Sequence, residues 1–121
     1  DERFEYVFSD GERVSGMTLL MIAMMKGHEG LAEALLQRGA DLSLHISNGD
    51  TALNLAAANG REKLVELALQ HGAVINEQTY LGSTALMLAA GNGREKLVVL
   101  ALRRGAAIDL QSNTGDTALI R

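Results

Sequence analysis

A 33-residue repeat is the feature that most limits how this chain can fold. The segment GDTALNLAAANGREKLVELALQHGA begins at Gly49 and aligns with GSTALMLAAGNGREKLVVLALRRGA, which begins 33 positions later at Gly82. The same offset brings further threonines and glycines into register: Thr18, Thr51, Thr84 and Thr117; Gly27, Gly60 and Gly93; Gly39, Gly72 and Gly105. Such a period is typical of solenoids, in which each unit is one supersecondary motif that stacks on its neighbours.

Within each unit the apolar spacing predicts two helices. In the second unit, a short helix of small residues begins after Thr51 and ends before Gly60, and a leucine-rich helix follows and ends at Gly72. Because threonine is a normal residue just before a helix, we interpret the threonines as N-caps and not as nucleophiles. The polar, turn-rich residues between Gly72 and Thr84 indicate an extended connection to the next unit. A single helical pair leaves an apolar face uncovered, so stability requires several stacked units.

The combination of TALNLAA, an NG break, a leucine-rich second helix and GA resembles the ankyrin repeat from about Val14 to Arg121. The resemblance implies an all-α ankyrin-repeat solenoid of stacked helix-turn-helix units joined by extended, hairpin-like connections. We expect a single array over residues 1–121, which divides into a degenerate leading segment at 1–15, full repeats at 16–48, 49–81 and 82–114, and the start of a fourth repeat at 115–121.

Two departures from the family pattern have structural consequences. The family's histidine in the first helix, which resembles a hydrogen-bonding strut between repeats, is replaced by Met21, Asn54, Met87 and Ile120. We therefore expect the repeats to be held together mainly by apolar packing. At the start of the chain Phe4, Tyr6 and Phe8 alternate as in a half-buried strand, and we predict that they cover the first repeat.

Composition excludes several classes of function. The formal net charge of -4 is the wrong sign for a protein that grips a phosphate backbone, so we expect no nucleic-acid partner. The chain has no cysteine, and no two of its histidines are spaced as helical metal ligands. No nucleophile–base pair, reactive carboxylate pair or phosphate-binding glycine loop is apparent. We therefore expect no enzymatic activity, no cofactor and no metal.

The apolar runs are shorter than a membrane span, and no signal peptide opens the sequence. From this we predict a cytoplasmic protein that does not enter a membrane, and we separately expect a monomer. Methionine can fill a core or line an adaptable surface, and Met17 and Met25 are the two methionines that we retain as candidate contacts.

By its resemblance to the family, the chain is expected to bind a protein or peptide on a concave face made of connection tips and short first helices. The candidate contacts are His45, Ser47, Asp50, Ala58, Asn59, Gln78, Tyr80, Ser83, Asn92, Gln111, Asn113 and Asp116. The connections carry aspartate and glutamate but no lysine or arginine, so we expect an acidic face and a basic or polar peptide as its partner. Tyr80 is the aromatic residue that we expect to dominate binding. The alternative is a structural spacer or regulatory segment of a longer multidomain protein.

Overall fold

Three helical pairs follow a short antiparallel strand pair in the computed structural model, which describes residues 2–108. The elements are β1 (Phe4–Val7), β2 (Arg13–Met17), α1 (Leu19–Lys26), α2 (Glu29–Gln37), α3 (Ala52–Ala58), α4 (Glu62–Gln70), α5 (Ala85–Gly91) and α6 (Glu95–Arg103). The first helices stack as α1, α3 and α5, and the second helices as α2, α4 and α6. The predicted solenoid of helix-turn-helix units is therefore confirmed.

Threonine begins each of the short first helices. The hydroxyls of Thr18, Thr51 and Thr84 accept hydrogen bonds from the backbone N–H three residues later, at 3.1, 3.3 and 3.3 Å. Each bond satisfies a donor that the helix itself leaves unpaired and contributes about 1 kcal/mol. The N-cap interpretation is confirmed for these three residues, whereas Thr117 lies outside the described residues.

The core lies between the two layers of helices and combines small alanines with larger leucines and methionines. Ala56, Ala57 and Ala89 are almost fully buried, which lets neighbouring first helices approach closely. Met17 and Met25 also belong to this core, at 0% and 7% exposure. We had retained both as candidate contacts, but both side chains are buried and fill the core instead.

Asn54 is the polar exception in the core. Its side chain is fully buried, and neither its amide nitrogen nor its carbonyl oxygen has a hydrogen-bond partner. The equivalent residues of the neighbouring units, Met21 and Met87, are buried and apolar. The hydrogen-bonding strut of the family is thus missing at Asn54, as the sequence predicted, and apolar packing joins the units there.

The leading segment covers the first unit as a strand pair. β1 pairs with β2, with Tyr6 opposite Val14, and the rings of Tyr6 and Phe8 pack against the core. The predicted alternation is confirmed for these two rings. Phe4 is more exposed, at 39%, although it lies opposite the buried Met17.

Candidate functional site

The structure places the predicted contact residues at three depths. Ser47, Asn59, Gln78, Tyr80 and Asn92 are exposed, whereas His45, Asp50 and Ala58 are half-buried. Ser83 is only 5% exposed, so its side chain offers almost no surface to a partner. Gln111, Asn113 and Asp116 lie outside the described residues.

Two of the predicted contact residues meet where two successive connections lie side by side. The first connection joins α2 to α3, and the second connection joins α4 to α5. The His45 imidazole and the Tyr80 ring are nearly parallel, with centroids 6.1 Å apart and an interplanar angle of 14°. On the same imidazole, Nε2 lies 3.7 Å from Oε2 of Glu77. We call these three residues, His45, Glu77 and Tyr80, the Tyr80 platform. The platform brings together His45 and Tyr80, which are 35 positions apart in the sequence.

Gly49 supports the platform from the first connection. Its φ of +90° is in the left-handed region that favours glycine, and a Cβ at this position would collide with the backbone nitrogen of Tyr80 and lie 2.7 Å from its ring. Tyr80 nevertheless remains 65% exposed. Its ring is thus held on one side and open to solvent on the other.

Ser47 joins the first connection to β2. The backbone N–H of Ser47 donates to the carbonyl of Ser15 at 2.9 Å, and its hydroxyl accepts a hydrogen bond from the Ser15 N–H at 3.0 Å. These two bonds pair Ser47 of the first connection with Ser15 of β2. The Ser47 hydroxyl therefore already has a structural role.

The exposed amides also have local partners. Asn59 and Asn92 each donate from the side chain to a carbonyl in the last turn of the preceding helix, Leu55 at 2.8 Å and Leu88 at 2.7 Å. Gln78 donates to the carbonyl of Gly82 at 2.8 Å. The backbone N–H of each asparagine donates to the same carbonyl, so both groups of Asn59 and Asn92 close the ends of α3 and α5.

The pKa of the Asp50 carboxyl group is shifted by its surroundings in this region. Burial raises the pKa of Asp50 from 3.8 to about 6; the side-chain hydrogen bond with Asn48 opposes the increase, and the Glu12 carboxylate adds to it. The charge of His45 also lowers the pKa, to a smaller extent. Acidic side chains from β2's turn and from the first connection are therefore close together.

Two residues that the sequence did not single out also belong to this region. Arg3 donates from Nε to the carbonyl of Gly16 and from Nη2 to the carbonyl of His45, the latter at 2.6 Å, so a cation lies beside the acidic connections. Leu81 follows Tyr80 and is 68% exposed. Its repeat equivalents, Ser15 and Asn48, are polar. A leucine where the other units have a polar residue was the sequence signal that could have identified Leu81.

The described part of the chain contains no group of three or more histidine, aspartate or glutamate side chains that could hold a metal ion. The recurring glutamates Glu29, Glu62 and Glu95 each occupy the first turn of a second helix, where a negative charge complements the helix dipole. Between residues 2 and 108, no helix has the length and apolar character that crossing a bilayer requires.

Comparison with known families agrees with this geometry. A family model described as ankyrin repeats in three copies matches residues 4–79, and a single ankyrin-repeat model matches residues 81–113. A search of curated proteins gives no match. Ankyrin repeats generally act as protein–protein interaction modules and are typically not enzymes. With its 33-residue period, its capped helical pairs and these two matches, the chain belongs to the ankyrin-repeat family.

Proposed function

We propose that this chain is a protein-interaction module that holds a basic or polar peptide segment against the Tyr80 platform. The observation that carries the proposal is the state of Tyr80, whose ring is stacked on His45 and supported by Gly49 while 65% of the residue stays exposed. An aromatic side chain that is already fixed loses little conformational entropy when a partner covers it. Residues of this kind are enriched among binding hot spots.

Charge around the platform favours a cationic partner. Glu77 belongs to the platform, and the carboxylates of Asp50 and Glu12 lie close enough to each other to affect the Asp50 pKa. A lysine or arginine of the partner can stack on the exposed face of Tyr80 and at the same time interact with Glu77. Arg3 already binds two backbone carbonyls here, which is a precedent for guanidinium recognition by this surface.

Ser83 is left out of the proposed contact set because its side chain is buried, and Leu81 is added because it is exposed beside Tyr80. Ser47, Asn59 and Asn92 hold local structure through hydrogen bonds, so we propose that they border the contact and contribute less to its affinity.

The test is to select peptides from a random display library on the intact chain and to measure their affinities for two variants. Tyr80→Ala removes the platform ring, and Val74→Ala trims a residue that is equally exposed, at 60%, but lies outside the platform. We expect Tyr80→Ala to weaken the selected peptides by about 30-fold, the effect of a hot spot, and Val74→Ala to change affinity less than about twofold.

Selected peptides should also be enriched in lysine and arginine. Peptides that bind both variants equally well would place the site elsewhere on the chain. A library that yields no binder at all would favour the spacer or regulatory role.

A further inference from the structure

A second surface, which shares no residue with the Tyr80 platform, lies between the leading strand and the first two helix–helix turns. It is lined by Tyr6, Phe8 and Ser9 of the leading segment, by Met25 and Lys26 at the end of α1 with His28 after it, and by Asn59 and Arg61 between α3 and α4. We call this surface the lid groove. Its cavity volume is about 530 Å³ and it is widely open to solvent, which leaves room for two or three side chains of a peptide.

The aromatic pair of the lid groove, Tyr6 and Phe8, has no counterpart in the later units. The Tyr6 and Phe8 rings are 5.6 Å apart and tilted by 59°, and both are half-buried. The repeat equivalents of Tyr6 are Gly39 and Gly72, and those of Phe8 are Asp41 and Val74. The later units therefore have no aromatic pair, although they keep the same helices and turns.

Two cationic side chains, Lys26 and Arg61, also line the groove. Lys26 Nζ lies 5.7 Å from the centroid of the Tyr6 ring. Arg61 is fixed in position because its Nε donates to the carbonyl of Met25 at 3.1 Å and its guanidinium packs over Gly27. Neither residue takes part in either of the ion pairs within residues 2–108, Glu5–Arg13 and His45–Glu77. No carboxylate lines the groove, although the whole chain carries a net charge of -4.

We propose that the lid groove binds an acidic peptide segment with a large apolar side chain. The apolar side chain contacts Tyr6 and Phe8, and the flanking carboxylates pair with Lys26 and Arg61. The terminal nitrogens of Arg61 suit a carboxylate, since its bond to Met25 uses only Nε. The proposal goes beyond the Tyr80 platform, which favours the opposite charge, so the array has two surfaces of opposite preference.

The test uses a fluorescent synthetic peptide in which glutamate alternates with phenylalanine and leucine, and a second peptide with lysine in place of each glutamate. Anisotropy is measured with the full chain and with Lys26→Glu, Lys26→Arg and Lys96→Glu. Lys96 is also an exposed lysine and lies outside the groove, so Lys96→Glu makes the same change of net charge elsewhere. Melting curves confirm that each variant is folded.

We expect the acidic peptide to bind, and Lys26→Glu to weaken it by at least about 10-fold, while Lys26→Arg and Lys96→Glu change its affinity by less than about threefold. Amide shifts on titration should fall at Ser9 and Lys26. Any of four results would overturn the proposal: no binding of the acidic peptide, equal weakening by both glutamate variants, equal binding of the lysine peptide, or amide shifts at the Tyr80 platform. Binding of anionic vesicles without binding of the peptide would overturn it as well, in favour of a lipid surface.

Discussion

The Tyr80 ring lies parallel to the His45 imidazole, 6.1 Å away and within 14°, although the two residues belong to successive connections. Their contact couples the second connection to the first, and Gly49 makes the approach possible because it has no Cβ to collide with Tyr80. The most exposed aromatic ring of the region is therefore positioned by the stacking of units as well as by its own turn.

Substitution of Gly49 should be much more harmful than substitution of another left-handed glycine. Gly39 has a similar φ, +87° against +90°, but a Cβ there would meet no atom within 4 Å. Alanine in the left-handed conformation costs about 1 to 2 kcal/mol at either site. The collision with Tyr80 should cost Gly49→Ala about 1 to 3 kcal/mol more.

Urea unfolding of Gly49→Ala and Gly39→Ala measures this difference directly, because the backbone cost is common to both variants. The near-ultraviolet signal of tyrosine should also change in Gly49→Ala alone. Equal losses of stability would show that the second connection moves freely away from Gly49.

Replacing Asn54 with methionine should stabilise the fold. Both polar atoms of the buried Asn54 side chain are unpartnered, and Met21 and Met87 occupy the equivalent positions of the neighbouring units. Removing a buried, unpaired amide should raise the free energy of unfolding by on the order of 1 to 3 kcal/mol. The control is Asn59→Met, at an exposed residue whose side chain caps α3, where we expect no gain. A loss of stability in Asn54→Met would mean that the second unit cannot hold the larger side chain.

The helices of this protein could be predicted because their signals are local and are repeated in each unit. Thr51 and Thr84 begin helices through bonds to residues only three positions away, so one spacing determines both. The burial of Ser83 was missed because its backbone pairs with Thr79, in a turn that draws its side chain inward. Met25 was kept as a candidate contact because helical periodicity does not give the exposure of a side chain near the end of α1, which is 7%.

The candidate site depends on contacts between units, which a periodic sequence does not specify. The stacking of Tyr80 on His45 and the bonds from Arg3 to Gly16 and His45 each join residues of different units. The sequence identified the exposed aromatic residue and the acidic connections. It could not show that a leading arginine reaches the same connection, since the segment before the first unit departs from the repeat.

The last prediction concerns pH, and it follows from the raised pKa of Asp50. Because the pKa increases from 3.8 to about 6 on folding, the folded state holds the proton more tightly than the unfolded state between these values. The stability that Asp50 contributes is therefore complete below its unfolded pKa and is lost as the pH rises through about 6. Asn at this position cannot ionise. Asp50→Asn should thus be more stable than the parent above pH 6, by on the order of 1 to 2 kcal/mol, and similar to it below about pH 4.

Asp41 is the matched control, because its pKa shift has the opposite sign. The hydroxyl and the backbone N–H of Ser43 both donate to Asp41 Oδ1, at 2.6 and 2.8 Å, and they lower the pKa of this exposed carboxyl group. Its contribution is present above the unfolded pKa and lost as the pH falls. Melting temperatures from pH 3 to 8 should show a benefit of Asp50→Asn that grows with pH and a small penalty of Asp41→Asn that grows in the same direction. A uniform benefit of Asp50→Asn at every pH would mean that its carboxylate charge is not the cause.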